Sequence, residues 1–357
     1  MKEIKIGKRK IGPSEPTYFI ADIAANHDGD LKRAKALIKL AKEAGAEAAK
    51  FQHHNVKKYV SDYGFRSLGS KFSHQKRWKK SIFEVYKDAQ IPINWTEELS
   101  LFCKEIGIDF LSTPYDLDMV DHLEKYNVPA YKIGSGDVVW HEMLEKVAKK
   151  GKLVIISTGA ATIGEVQESI KFLKCINPNI ALLQCNTNYT ASKENFKYIN
   201  LNVLTTYKTM FPDVVLGLSD HTLGHTTVIG AVSLGARIIE KHFTDDNDRE
   251  GPDHYFSMNP YTWYDMVENT RILELALGNF TKEVQKNEME TVILQRRSIR
   301  VIKDMSEGEV ITRENIEFQR PAPVGSFNPN MINDLLGKTI KTRIVAGDRL
   351  RNKHINW

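Results

Sequence analysis

The chain predicts an α/β fold, a (β/α)8 TIM barrel followed by a small β-rich C-terminal domain, and three observations carry that expectation. Eight short apolar runs alternate with helix-length segments between Tyr18 and Leu277. The polar residues best suited to chemistry stand at the C-terminal ends of those runs, the face on which such barrels place their sites. Beyond about residue 283 the alternation stops, and a length of 357 residues suits a barrel of about 250 residues plus a small appendage.

In order, Tyr18 to Ala25 reads as a buried strand, and Asp30 caps a helix over Leu31 to Ala44 that Gly45 stops. Ala48 to Gln52 is a strand carrying Lys50. The stretch from His53 to Gln90 is basic and aromatic, reads as a long functional or mobile loop, and its cluster of Lys71, Lys76, Arg77, Lys79 and Lys80 reads first as a solvated face. From there the units repeat as helix then strand: Thr96–Ile106 and Asp109–Ser112, Leu117–Tyr126 and Ala130–Ile133, His141–Lys149 and Leu153–Ile156, Ile163–Leu173 and Ile180–Leu183. Strand Val214–Leu218, helix Thr226–Leu234, strand Ala236–Ile239 and helix Tyr261–Leu277 complete the count. The expected domains are therefore a barrel over 1–280, a linker over 281–294 and a small domain over 295–357, with a turn at Ser306-Glu307-Gly308-Glu309 and short apolar pieces at Val310-Ile311, Leu335-Leu336-Gly337 and Leu350.

Composition narrows the class. Hydrophobic residues at 41% and a net charge of +5 from 50 basic and 45 acidic side chains are ordinary for a globular protein and carry no basic stripe for nucleic acid. The three cysteines do not make a disulfide framework, and neither a cleavable leader nor an apolar run of about 18 residues is found, so a cytoplasmic protein is expected.

The chemistry converges on the strand ends. Ser219-Asp220-His221 and Glu240-Lys241-His242 close two successive strands, and neighbouring parallel strands lie roughly 5 Å apart, so His221 and His242 form a candidate two-imidazole metal site. Without cysteine nearby, imidazole with carboxylate or water suits Mn²⁺, Co²⁺, Fe²⁺ or Zn²⁺. Lys50 and Lys132 stand in otherwise apolar strands, where an ammonium must point into a pocket or be paired. Together with Asp22, Gln52, Thr113, Ser135, Asp137, Ser157, Tyr189, Ser219 and Glu240 they predict a site for a phosphorylated, carboxylated ligand.

The ordered motifs Asn26-His27-Asp28-Gly29-Asp30, Lys50-Phe51-Gln52, Ser112-Thr113-Pro114, Tyr131-Lys132-Ile133-Gly134-Ser135-Gly136, Ser157-Thr158-Gly159, Gly217-Leu218-Ser219-Asp220-His221-Thr222, Glu240-Lys241-His242-Phe243-Thr244 and Gly251-Pro252-Asp253-His254 resemble the sialic acid synthase family. Its members condense phosphoenolpyruvate with a sugar aldehyde into nonulosonic acids. The tail, with Arg296-Arg297-Ser298 and Arg320-Pro321, resembles the family's antifreeze-like (SAF) domain. The resemblance implies that His221 and His242 hold a divalent metal, Mn²⁺ foremost with Mg²⁺ or Co²⁺ as alternatives. It further implies that Lys50, Thr113, Lys132, Ser135 and Ser157 cradle phosphoenolpyruvate, and that Gln52, Tyr189 and Asp253 face the amino sugar. Arg320 would reach the acyl substituent from the partner in a domain-swapped homodimer, and Asp22, Glu240 and Asp137 are the expected acid–base carboxylates.

The chain departs from the family pattern at Asp22, Asp137, Thr187 and the loop Arg320-Pro321-Ala322-Pro323-Val324-Gly325. The resemblance implies N-acetylmannosamine or a related hexose as acceptor, and these departures point to one that differs from N-acetylmannosamine, a phosphorylated sugar or another hexose derivative. Two other readings compete: another metal-dependent barrel aldolase acting on sugars, and a non-catalytic carbohydrate-binding or assembly protein. No nucleic-acid or membrane partner is expected.

Overall fold

A strand pair opens the chain where the sequence reads as a plain leading segment. In the computed structural model, which describes residues 3–357 apart from the side chain at position 73, β1 (Ile4–Ile6) and β2 (Arg9–Ile11) form an antiparallel hairpin. The eight expected strands follow as β3 (Tyr18–Asp22), β4 (Ala48–His53), β5 (Asp109–Pro114), β6 (Ala130–Ile133), β7 (Leu153–Ser157), β8 (Ile180–Cys185), β9 (Val215–Asp220) and β10 (Ile238–His242). They lie in the order β5-β4-β3-β10-β9-β8-β7-β6, the registered pairs are parallel, and β5 packs beside β6, so the sheet is a nearly closed barrel.

Helix α1 (Leu31–Glu43) follows β3, capped by the Asp30 carboxylate, which accepts from the backbone N–H groups of Lys32 and Arg33. Helices α2 (Val56–Tyr59), α3 (Asp62–Ser67) and α4 (Ile82–Asp88) occupy the stretch after β4. Then α5 (Trp95–Ile106), α6 (Leu117–Glu124), α7 (His141–Ala148), α8 (Ile163–Lys174), α9 (Val203–Met210), α10 (Thr226–Ser233) and α11 (Pro260–Leu277) alternate with the remaining strands.

Two expectations need correction. The first barrel strand ends at Asp22, not Ala25: the Asp22 carboxylate accepts from the Ala24 N–H at 3.1 Å, and this side-chain turn, with Ala24 at φ 45°, bends the chain off the sheet. The segment from 53 to 90 is not an open loop. Its short helices close over an apolar cluster of Val56, Val60 and Ile82, and Lys71 donates to the carbonyls of Trp78 and Lys80, stapling the segment from within.

The barrel sorts its residues by parity along each strand. Outward positions such as Phe19, Phe51, Phe110, Tyr131, Val154 and Leu216 pack beneath the helices. Inward positions in the N-terminal half, among them Tyr18, Ile20, Leu111, Ile155, Leu183 and Val215, form a separate inner core, and Ile4, Ile6 and Ile11 of the hairpin join that core as a plug. Gly217 belongs to the same inner row: a Cβ there would stand 2.4 Å from the Ile238 carbonyl oxygen and 2.9 Å from Leu183, so only glycine lets these strands approach.

The chain divides into one compact unit ending at Gly278 and a second spanning Asn279–Trp357. In the second, the segment expected as linker holds a turn at Lys286–Glu288 and helix α12 (Met289–Gln295). Strands β11 (Ser298–Val301) and β12 (Ile316–Gln319), helix α13 (Ile332–Leu335), and strands β13 (Thr339–Ile340) and β14 (Ile355–Asn356) then surround a core that includes Ile299, Val301, Ile311, Ile340 and Leu350.

Candidate active site

Further along each barrel strand the same inward parity turns from apolar to polar. Asp22, Lys50, Thr113, Lys132, Ser157, Ser219, Glu240 and His242 all lie buried at the C-terminal ends of their strands. Register decides who meets whom. Asp22 is level with Lys50 on one side and with His242 on the other, while Glu240 is level with Ser219.

Two ammonium–carboxylate pairs result. Lys50 Nζ lies 2.8 Å from Asp22 Oδ2 and donates to Thr113 Oγ1 at 3.2 Å. Lys132 Nζ lies 3.3 Å from Glu240 Oε1, which also accepts from Ser219 Oγ at 3.1 Å. Burial disfavours the Lys50 ammonium, but the charges of Asp22 and Glu240 outweigh it and hold the pKa above its ordinary value. Glu240 Oε2 and Ser157 Oγ are buried without a hydrogen-bond partner. Such unsatisfied groups beside buried ion pairs cost stability and mark a place prepared for a ligand.

The two histidines lie beside these pairs. Their ring centroids are 5.3 Å apart, and His242 Nε2 is 3.7 Å from Asp22 Oδ2. Burial lowers both imidazoles to about 3, His221 further through His242 and His242 further through Lys50, so both are neutral at pH 7. His221 Nδ1 faces the Asn186 carbonyl at 2.9 Å, which places the proton there and leaves Nε2 free; His242 Nδ1 has no partner. Among the described residues no group of three or more His, Cys, Asp or Glu is arranged as a metal cage. Two neutral imidazoles with free ring nitrogens nevertheless fit a divalent ion that completes its shell with water or substrate oxygen.

Other expected residues surround this centre. Gln52 Nε2 lies 3.4 Å from Asp22 Oδ2, and Ser135 Oγ accepts from the Gly159 N–H at 2.9 Å. Asp253 Oδ2 is 3.8 Å from His242 Nδ1, and the Tyr189 ring lies tilted against the His221 ring with centroids 4.2 Å apart. Burial raises Asp137 and Asp253 to about 6 each, with Lys132 opposing the shift at Asp137 and Asp22 reinforcing it at Asp253. Arg320 belongs to the C-terminal unit, where its Nε donates to the Gln295 carbonyl at 2.7 Å.

A cavity of about 110 Å³ lined by Gln52, His74, Trp78, Tyr189, His242 and Asp253 opens at this centre. A larger one of about 470 Å³, lined by Arg77, Lys79, Lys80 and Glu250 among others, shares Ala25, Trp78 and Pro252 with it. The 53–90 segment is therefore the site's cover. Of its basic run, Lys79 pairs with Glu250 at 2.7 Å, Lys80 with Asp88 at 2.6 Å, and Arg77 lies over the Tyr255 ring.

Sequence reasoning missed Cys185, an inward residue hydrogen-bonded to Ser135 and Ser219 whose thiol burial pushes up. Asp220, next to His221 in sequence, faces away from the histidine pair. In the structure Asp220 pairs with Lys241 and accepts from the Thr227 hydroxyl at 2.8 Å, tying the outer side of the barrel.

The sequence profile of the NeuB family matches residues 37–282, and that of the SAF domain matches residues 296–356. The chain is 35% identical over 341 residues to the N,N′-diacetyllegionaminic acid synthase of Campylobacter jejuni, covering 94% of this chain and 98% of that one. It is 32% identical over 348 residues to human N-acetylneuraminate-9-phosphate synthase, covering 98% and 95%. The solved N-acetylneuraminic acid (sialic acid) synthetase of Leptospira borgpetersenii, in complex with citrate, matches with a TM-score of 0.69 at 29% identity, over 82% of this chain and 95% of that one.

Proposed function

The chain belongs to the NeuB family, that of the sialic, legionaminic and pseudaminic acid synthases, and from that premise we propose that it condenses phosphoenolpyruvate with an open-chain amino-sugar aldehyde and releases inorganic phosphate. The observation that carries this reading is the pair of buried lysines, each neutralised by a carboxylate, on the same barrel end as two neutral imidazoles. A ligand with both a carboxylate and a phosphate replaces the internal partners of both lysines without leaving either charge unpaired.

The proposed roles are those that the family resemblance implies. Lys50, Thr113, Lys132, Ser135 and Ser157 hold phosphoenolpyruvate, and Gln52, Tyr189 and Asp253 hold the acceptor. His221 and His242 would hold a divalent ion, Mn²⁺ foremost, which when bound polarises the aldehyde oxygen. C3 of phosphoenolpyruvate attacks the aldehyde carbon, whose oxygen takes up a proton and becomes a hydroxyl. Water adds at C2, and Glu240 accepts its proton through the unpartnered Oε2, with Asp22 and Asp137 completing the carboxylate set. The bond from C2 to the bridging phosphate oxygen then breaks, the C2 hydroxyl passes its proton to the departing phosphate, and a 2-keto acid and hydrogen phosphate remain. The proton taken by Glu240 balances the one gained by the aldehyde oxygen. Lys50 and Lys132 stabilise the departing phosphate electrostatically.

Arg320 is proposed to serve the acceptor's acyl end in a partner's barrel, within a domain-swapped homodimer. No helix among the described residues is long and apolar enough to cross a membrane, and a cytoplasmic setting suits phosphoenolpyruvate and three free cysteines.

The test is phosphate release from phosphoenolpyruvate and Mn²⁺, screened over N-acetylmannosamine, its 6-phosphate and di-N-acetylated hexoses. Release with one sugar, abolished in His221→Ala, is expected. Pyruvate formed from a nonulosonic acid without phosphate release would instead identify an aldolase on the same site.

A further inference from the structure

Apart from Asp253, two of the motifs have no role in the chemistry above, Asn26-His27-Asp28-Gly29-Asp30 after β3 and Gly251-Pro252-Asp253-His254 after β10. These strands are neighbours in the barrel, and the two loops are bound to each other by polar side chains, of which Asn26, His254 and Ser257 are buried. His254 is 0% exposed; its Nε2 lies 2.9 Å from Asp28 Oδ1 and its Nδ1 2.7 Å from Thr244 Oγ1. Asp28 is held in turn by Arg249 at 2.9 Å and Arg33 at 3.1 Å. A second tie runs beside the first. The Asn26 amide donates to the Phe243 carbonyl at 2.9 Å and to Ser257 Oγ at 3.0 Å, and Ser257 Oγ donates to the Asp253 carbonyl at 2.6 Å.

Asp253, by contrast, is weakly held through its own side chain. The Ala25 N–H reaches its Oδ2 only at 3.4 Å, and His242 Nδ1 is 3.8 Å away. Its placement therefore comes from the backbone, which its neighbour His254 anchors. Gly251 fits the same scheme: a Cβ there would meet His254 Cδ2 at 2.5 Å and Nε2 at 3.0 Å, so the loop turns around the imidazole.

Resting on the condensation reading, we propose that the Asp28–His254 pair is a positioning clasp that sets Asp253 against the acceptor sugar through the loop backbone, with neither clasp residue lining the inner cavity. His254 is enclosed within the loop and Asp28 lines the larger cavity, while Asp253 lines the inner cavity beside His242 and Tyr189. The clasp thus governs the acceptor end of the site and leaves the Lys50 and Lys132 end alone.

The experiment measures both Michaelis constants with Mn²⁺, phosphoenolpyruvate and the sugar that supports phosphate release, in His254→Leu, His254→Gln and Gly251→Ala. The Leu and Ala variants are expected to raise the acceptor KM about tenfold or more, as loss of an orienting outer hydrogen bond does, with the phosphoenolpyruvate KM within about twofold. His254→Gln, whose amide still reaches Asp28, is expected to recover most of the loss. Equal rises in both constants, or a Gln variant no better than Leu, would overturn the clasp while leaving the condensation reading intact. If the unaltered enzyme releases no phosphate with any sugar, the condensation reading falls and the clasp's assignment falls with it.

Discussion

Glu240 combines two states in one side chain: Oε1 serves Ser219 and Lys132, and Oε2 serves nothing within the protein. Glu240→Gln keeps the shape and removes the proton acceptor. Phosphate release is expected to fall by about 100-fold or more, with phosphoenolpyruvate affinity, read by titration, changed far less. Asp137 yields a pH test. Burial raises its folded pKa to about 6 from 3.8, so the folded state holds a proton that the unfolded state releases between those values. Its contribution is present at low pH and is lost as pH rises through that window. Asp137→Asn should therefore gain stability relative to the unaltered protein between pH 4 and pH 7, by on the order of 1 kcal/mol once solvent screening at this half-buried side chain is allowed for. Melting curves at the two pH values check it, and a constant difference would count against the raised pKa. Asp22, Lys50, Lys132 and Glu240 were legible because a charge inside an apolar run needs a partner. Cys185 was not, because a cysteine in such a run reads as one more small hydrophobe.

At the scale of the element, parity explains both a success and a failure. Glu240 and His242 face inward while Lys241, between them, faces outward toward Asp220, so a single strand supplies the site and an outer-layer ion pair. Sequence placed the strand but not the partner of Asp220, since which outward residue of β10 meets it depends on register across β9 and β10, a long-range property. The β1–β2 hairpin escaped notice for a related reason: three residues per strand leave no periodicity to count, and its apolar positions matter only because the barrel's inner core is open beneath them. Ile6 is fully buried there. Ile6→Ala is expected to lower unfolding free energy by about 2–4 kcal/mol in urea melts, with the KM values unchanged. A loss below about 0.5 kcal/mol, the range of a surface substitution, would mean that the hairpin does not plug the barrel.

At the scale of the whole molecule, the two units have separate cores, and Arg320 lies in the second. If Arg320 serves a partner's barrel, inactive proteins should complement each other. Mixing His221→Ala with Arg320→Ala under conditions that exchange subunits is expected to restore about a quarter of the sites, because half of the dimers are mixed and each of those holds one intact pair. No recovery beyond the sum of the two parents would rule out supply of Arg320 from the partner. By itself the sequence determined the number and order of the barrel strands and the strand ends at which polar residues gather. Those features are written in local periodicity, in strand-end polarity and in charges stranded within apolar runs. Only the tertiary structure decided which charges neutralise each other, that the 53–90 segment covers the site and that Asp28 holds His254 across more than two hundred residues. Each of those depends on strand register and loop packing, where contacts are set by the closed barrel and not by neighbours in the chain.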